Sequence, residues 1–165
     1  MADNPETEQA LQNPPDDPKV ILAAVDSSAN GARVLGMATR LTRAMPGAAL
    51  HIIHVFRTSR LDRARMGTPT GNTDMIEDAK EHLAYYVRTA KKQSRADITG
   101  HFALGDPSAE ILRLSESLDA DVLVVGTHDY VGFERFLLGS VAETLMRKAG
   151  CPVVIVRPKS HKHSS

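Results

Sequence analysis

Residues 121–157 read DVLVVGTHDYVGFERFLLGSVAETLMRKAGCPVVIVR, and the order of features in this stretch decides the fold. The apolar run at 121–125 predicts a buried strand, a glycine-bearing loop follows it, 140–149 predicts a helix, and 152–156 predicts a second buried strand. Strands that are apolar on both faces are typical of a parallel sheet, because helices cover such a sheet on both sides. The stretch therefore predicts one α/β crossover unit.

The rest of the chain extends this alternation toward the N-terminus. Apolar runs predict buried strands at 19–25 and 50–56, and a less apolar run with Gly100 and His101 predicts an edge strand at 97–104. Helix-start signals and apolar periodicity predict helices over 29–45, 73–95 and 107–118. The order β-α-β-α-β-α-β-α-β predicts an α/β fold, with one open, five-stranded parallel sheet, helices on both faces and right-handed connections.

The first predicted helix also carries a start signal and an apolar face. Either Ser27 or Ser28 can cap its N-terminus, because a serine hydroxyl accepts hydrogen bonds from first-turn amides. Its predicted apolar positions are Ala32, Leu35, Met37, Ala38 and Leu41.

Composition argues against several functions. The 20 Lys and Arg residues balance the 20 Asp and Glu residues, which removes any electrostatic argument for nucleic-acid binding. With no Trp, three Tyr and four Phe, the chain also lacks the aromatic residues of a base-stacking platform. No apolar run approaches the roughly 18 residues of a membrane helix. Neither a nucleic-acid nor a membrane partner is expected.

The two ends of the chain are predicted to lie outside the folded domain. Residues 1–18 are acidic and proline-rich, which predicts a disordered tail, and they lack the basic start and apolar stretch of a signal peptide. The polar segment 159–165 predicts a flexible C-terminal tail, which leaves 19–158 as the domain. Cys151 is the single cysteine, so no internal disulfide is possible. A cytoplasmic protein is expected.

Two loops are candidates for function. Segment 57–73 lacks periodicity and is rich in arginine, so it is either a solvated loop or a basic lid over an anionic ligand. Between Gly126 and Ser140, a loop enters a helix whose first amides lack partners and can bind an anion. Gly139 allows close backbone approach there, and the Ser140 hydroxyl can donate to a phosphate oxygen. The alternative is an ordinary loop with a glycine and a serine cap.

Other signatures of this fold class are absent. The chain has no GxxxxGK[ST] phosphate loop and no GxGxxG after the first strand. A phosphorylated receiver domain would need an Asp ending the third strand and a Lys ending the fifth. Here Leu104 leads into Gly105 and Asp106, and Arg157 follows the last strand.

Taken together, several segments resemble the universal stress protein family. The family signature is Gly, two residues, Gly, nine residues, and Gly-Ser or Gly-Thr, and it falls here on 126–140. VILAAVDSS at 20–28 and LHIIHVF at 50–56 are similar to the family's first two strands. GDPSAEIL at 105–112 resembles its third crossover and CPVVIV at 151–156 its last strand. The resemblance covers about 19–157.

The resemblance implies strand order 3-2-1-4-5, a homodimer and binding of ATP, possibly with Mg²⁺. It places the adenine side of the site on Ala24, Val25, Asp26 and Val55. It places the ribose and phosphate side on Val125, Gly126, Thr127, His128, Gly139, Ser140 and Val141. Family dimers pair their last strands, which here implies an interface at Pro152, Val153, Val154, Ile155 and Val156. The alternative is an apolar edge that the tail protects.

Asp129 departs from the signature, which has glycine at this position. An Asp in a left-handed conformation costs about 1 kcal/mol more than Gly. At about 6 Å and an effective dielectric of about 20, each like-charge pair with a phosphate costs roughly 3 kcal/mol. A divalent cation could cancel this repulsion, or the side chain could turn to solvent. Two hypotheses follow, a nucleotide-binding regulatory protein and an interaction module that binds no nucleotide.

A slow ATPase is a third hypothesis, although no general base or metal cluster is evident. His128 is expected to contact a polar ligand rather than to catalyse, because no acid or nucleophile lies near it in sequence. His51 and His54 are expected to fill the core or its polar edge, and Cys151 to be a small core residue. His161 and His163 in the tail are weak evidence for metal binding, and no metal site is predicted.

Overall fold

The structure is a computed structural model that describes residues 19–58, 73–127 and 139–157. Several predictions lie outside these residues, namely both tails, most of the arginine-rich loop, His128 and Asp129. In chain order the elements are β1 Val20–Val25, α1 Ala29–Ala44, β2 Ala49–Arg57, α2 Thr73–Gln93, β3 Ile98–Gly105, α3 Pro107–Ser117, β4 Val122–Gly126, α4 Ser140–Lys148 and β5 Val153–Val156. Each predicted strand and helix is present within about two residues of its expected bounds.

The five strands form one parallel sheet in the order β3-β2-β1-β4-β5. Both the predicted α/β fold and the predicted strand order are therefore confirmed. β1 lies at the centre because its apolar run can be covered on both faces, and Ile21, Leu22 and Ala23 have no exposed surface. β3 is an edge strand, as its weaker apolar character predicts.

Alternate residues of each strand divide the core into two layers. Ile21, Ala23 and Val25 pack with residues of α1 and α2 on one face of the sheet. Leu22 packs with residues of α3 and α4 on the other face. Gly100 in β3 permits close packing of α2, because a Cβ there would lie 2.8 Å from Cγ2 of Val87. The strand ends are thus held between two helical layers.

The predicted apolar face of α1 is wrong at one position. Ala32 is exposed, whereas Thr39 and Thr42 are buried. The threonine hydroxyls donate to the carbonyls of Leu35 and Ala38, each at 2.8 Å, so their burial leaves no unpaired hydroxyl. Hydrophobicity alone does not reveal this compensation.

Candidate functional site

A pocket of about 210 Å³ lies at the carboxyl ends of β1, β2 and β4. β1 pairs with β2 on one side and with β4 on the other. The chain adds β2 and β3 on the first side and β4 and β5 on the second, so the strand order reverses at β1. Ligands of open parallel sheets bind in the crevice at such a reversal. The pocket is therefore where the fold class predicts a ligand site.

Most of the site residues implied by the family resemblance surround this one pocket. The structure brings together Ala24, Val25, Asp26, Val55, Val125, Gly126, Thr127 and Val141. Gly139 and Ser140 are described but do not line the pocket; they lie at the start of α4, next to Val141. The sequence reasoning did not assign the other lining residues, which are Asn30, Gly31, Val34, Ile53, Arg57, Pro107 and Ile111.

Two of these unassigned residues carried a signal in the sequence. Ile53 and Arg57 alternate with Val55 along β2, so all three share one face of the strand. Extending the predicted strand by one residue would have placed Arg57 on the site. Asn30 and Ile111 lie on different helices, and the sequence holds no signal that brings them to the same pocket.

The N-terminus of α4 forms one end of the site and has no side-chain cap. Gly139 is the N-cap residue, with φ −59° and ψ 148°, and as a glycine it has no side chain that could accept a hydrogen bond from the first-turn amides. Ser140 is the first helical residue and not the N-cap, so the serine cap that the alternative included is wrong. The amide of Glu143 donates to the carbonyl of Gly139 and begins the helical pattern. Within the part of the chain that the structure describes, the preceding amides are open to an anion.

In the turn from β1 into α1, residues of the turn itself accept hydrogen bonds from the first amides of the helix. Ser28 is the N-cap of α1, and its Oγ accepts from the amides of Asn30 at 3.1 Å and Gly31 at 3.3 Å. The Asp26 carboxylate in turn accepts from the amide and the hydroxyl of Ser28. Of the two serines that could cap α1, Ser28 does so. Because these amides have partners, α4 offers the better anion site of the two helices.

Asn30 joins the β1 side of the pocket to the β4 side. Its Nδ2 donates to the carbonyl of Thr127 at 2.6 Å, across 97 residues of sequence. A Cβ at Gly126 would collide with this Nδ2 and would lie 3.1 Å from Cγ2 of Val34. The first signature glycine therefore makes room for the Asn30 side chain, which ties the start of α1 to the end of β4.

The comparisons with known proteins agree with the observed fold. The sequence model of the universal stress protein family matches residues 18–157.

The chain belongs to the universal stress protein family.

Several relatives of this universal stress protein are similar to it in sequence or structure. Universal stress protein YxiE of Bacillus subtilis is 30% identical over 153 residues, which cover 83% of this chain and 97% of that protein. A universal stress protein of Methanocaldococcus jannaschii is 47% identical over 85 residues, which cover 52% of this chain and 50% of that protein. The structure of the universal stress protein from Archaeoglobus fulgidus in complex with dAMP is 28% identical, with a TM-score of 0.61, and the match covers 83% of this chain and 95% of that one.

In this universal stress protein, Tyr86 of α2 supports the β1–α1 turn from outside the pocket. Its hydroxyl donates to the carbonyl of Asp26 at 3.1 Å. Burial raises the pKa of Tyr86 above its ordinary value, and the nearby Asp26 carboxylate raises it further. The raised pKa favours the protonated phenol, which donates to the turn from α2.

The strand histidines of the universal stress protein lie where the sequence predicts, in the core and at its polar edge. His54 is 6% exposed and stacks on Phe102, with ring centroids 6.1 Å apart. His51 and His101 are partly buried, and Nδ1 of His51 lies 2.9 Å from Nε2 of His101. Desolvation lowers the pKa of all three histidines below 6.5. The negative charge of Asp26 partly opposes this shift for His54, and that of Asp97 partly opposes it for His51. The pKa of His101 is lowered further by the neighbouring His51. The folded protein therefore resists protonation of these rings.

We expect this protein to lose stability as the pH falls through about 6.5. The unfolded chain takes up protons at His51, His54 and His101 near this pH, whereas their lowered folded-state pKa values delay uptake in the native state. Urea unfolding between pH 8 and pH 5 should show full stability above 6.5 and a falling midpoint below it. The lowered pKa of Asp106 acts separately, below its ordinary 3.8.

His54→Leu tests the assignment of this pH dependence. Removing the most buried of these rings should make the fall in the urea midpoint between pH 7 and pH 5 shallower. A variant whose midpoint falls as steeply as that of the native protein would show that His54 does not contribute.

Cys151 and the acidic and histidine side chains give no sign of a metal centre in the described part of the chain. Cys151 is partly buried, packs against the layer under α3 and α4, and has its Sγ 3.7 Å from Oγ of Ser115. Within 19–58, 73–127 and 139–157, no group of three or more His, Cys, Asp or Glu residues could hold a metal ion. Among the described helices, none combines the length and the apolar character needed to cross a membrane.

Proposed function

We propose that this universal stress protein is a regulatory protein that binds an adenine nucleotide, with ATP as the first candidate. The observation that carries the proposal is the pocket itself. It gathers the ends of three strands and Val141 of α4 around one space, and eight of the residues to which the family resemblance assigns the nucleotide line it. The proposed role is regulatory, in the cytoplasm, through a protein partner whose identity is open.

The chemistry of the pocket suits a nucleoside. Its walls are mainly aliphatic side chains, which suit the faces of a flat base, and Asp26 and Thr127 add polar groups. Its volume of about 210 Å³ lies below the roughly 300–1,000 Å³ of pockets that enclose whole ligands. The base and part of the sugar would therefore fill the pocket, and the phosphates would extend to the uncapped amides of α4. The Archaeoglobus fulgidus complex with dAMP supports a nucleotide of this class.

Nucleotide binding should raise the melting temperature of the native protein. A ligand at 100 times its Kd stabilises the folded state by about 2.7 kcal/mol, which corresponds to a shift of about 5–10 °C for a domain of this size. ATP, AMP and adenosine are compared by thermal melting with and without Mg²⁺. The absence of a shift at millimolar concentrations of all three would contradict the proposal.

Asp129→Gly tests the departure from the family signature. The family resemblance assigns position 129 to the phosphate side of the site, so removing its carboxylate should relieve roughly 3 kcal/mol for each like-charge pair and raise ATP affinity. Adenosine is the matched control, because it is uncharged and its affinity should change little. If the native chain binds no nucleotide and Asp129→Gly does, the second hypothesis, an interaction module closed to nucleotides, is the correct one.

A slow ATPase remains a third candidate, and mutation separates it from contamination. Phosphate release that survives both His128→Ala and Ser140→Ala would point to a contaminating enzyme.

We further propose a homodimer that pairs its β5 strands. The carbonyl of Pro152 accepts from the amide of Leu123 in β4, and that of Val156 accepts from the amide of Thr127 just after β4. The two-residue alternation therefore directs the backbone groups of Val153 and Ile155 outward. An edge that is both apolar and rich in outward hydrogen-bonding groups favours pairing with another strand. Because proline removes one outward N–H and is tolerated on an edge strand, Ile155→Pro should convert the dimer to a monomer. Light scattering measures the mass, and an unchanged dimer mass would contradict this interface.

A further inference from the structure

Arg57 brings a positive charge to the proposed nucleotide pocket. It is the last residue of β2, and it shares the pocket-facing side of that strand with Ile53 and Val55. Of the described residues that line the pocket, Asp26 and Arg57 are the charged ones. The side chain is exposed, so a bound ligand could reach it without a change in the core.

In the part of the chain that the structure describes, the N–H donors of the Arg57 guanidinium are available to such a ligand. Within the described residues it makes no hydrogen bond or ion pair. Its positive charge acts on Asp106 electrostatically. The pKa of Asp106 is lowered mainly by the hydrogen bond from the Ala109 amide and also by the charge of Arg57. The Asp106 carboxylate already caps α3, where its Oδ1 accepts from the Ala109 amide at 3.0 Å.

The sheet decides which end of a nucleotide Arg57 would meet. β1 lies between β2 and β4, and neighbouring strands are about 4.8 Å apart, so the ends of β2 and β4 are separated by about 10 Å. The anion-binding turn at the start of α4 lies on the β4 side. A nucleotide with its phosphates at that turn therefore extends its base toward β2.

We propose that Arg57 binds the base of the nucleotide and not its phosphates, which rests on the proposed function above. A guanidinium presents five N–H donors and no acceptor, so it pairs with ring nitrogens or carbonyl oxygens at a base edge. Arg57 is thus a specificity-determining residue at the end of the pocket remote from α4. It favours ligands whose base offers a hydrogen-bond acceptor on that side.

Arg57→Met tests this role because it keeps the aliphatic stem and removes every donor. Dissociation constants for adenosine, AMP and ATP are measured by calorimetry on the native protein and the variant. Loss of a hydrogen bond to a charged donor should weaken all three by a similar factor, about ten- to a hundredfold. Arg113→Met is the matched control, since Arg113 is exposed on α3, pairs with Glu110 at 2.7 Å and does not line the pocket.

The ligand series distinguishes the ways in which the inference can fail. If Arg57→Met weakens ATP and AMP but leaves adenosine unchanged, Arg57 contacts phosphate and the inference is overturned. If no affinity changes, Arg57 is a solvated residue and the inference is again overturned, while the proposed function stands. If the native protein binds none of the three ligands, both fail. Because Arg57 is exposed, the variant should melt within a degree or so of the native protein without ligand, which verifies its fold.

Discussion

We expect Gly31→Ala to lower the free energy of unfolding by about 3 kcal/mol, at the upper end of the usual cost of adding a methyl group to a packed site. A Cβ at this position collides with the carbonyl oxygen of Asp26 and lies 2.8 Å from its Oδ1. The carbonyl cannot turn away freely, because it accepts the hydroxyl of Tyr86. Helix α1 must therefore move away from the end of β1, which also displaces Asp26 from the pocket.

Gly36→Ala is the matched control on the same helix. A Cβ at Gly36 meets nothing within 4 Å, so the added methyl group is accommodated. Alanine in a helix interior is more stable than glycine by about 0.5–1 kcal/mol, and this variant should be slightly stabilised. Urea unfolding followed by circular dichroism measures both variants. Equal stabilities of Gly31→Ala and Gly36→Ala would contradict the proposed contact between α1 and the Asp26 carbonyl.

Gly126→Ala should weaken both the fold and nucleotide binding. The new Cβ displaces the Asn30 amide, which then loses its hydrogen bond to Thr127. The expected cost is about 2 kcal/mol, because Asn30 is a flexible side chain and can swing aside while Val34 must also shift. A displaced Asn30 and an added methyl group both enter the pocket, so affinity for AMP should fall more than tenfold.

Gly150→Ala provides the comparison for this variant. A Cβ at Gly150 would meet nothing within 4 Å, so stability and AMP affinity should both stay near those of the native protein. Thermal melting with and without AMP separates the two effects. If Gly126→Ala binds AMP as the native protein does, the Asn30 bridge does not shape the binding site.

The strands could be predicted from sequence because each is a largely apolar run bounded by turn or loop residues. The apolar run at 19–25 forms β1, which helices cover on both faces, so polar residues do not alternate with apolar ones along it. The same reasoning failed on α1, where Ala32 is exposed and Thr42 is buried. Helix periodicity reports which side chains are apolar, whereas burial also depends on whether a hydroxyl can bond its own backbone.

The candidate site was predictable in part. Asp26 and Gly126 end predicted neighbouring strands, and the carboxyl ends of parallel strands meet at one edge, so their proximity follows from the fold class. Arg57 was interpreted as the start of a loop, because the predicted end of β2 fell one residue short of it. Asn30 carried no signal, since its partner Thr127 lies 97 residues away.

By itself, the sequence determined the α/β class, the order of the elements and the resemblance that leads to the family, because these depend on local apolar patterns and on short motifs. Only the tertiary structure decided that Asn30 joins α1 to the end of β4, that Ser28 and not Ser140 caps a helix at the site, and that Arg57 faces the pocket. The physical reason is that these features depend on side chains meeting across the sheet. Such contacts join residues far apart in the chain, and no local pattern encodes them.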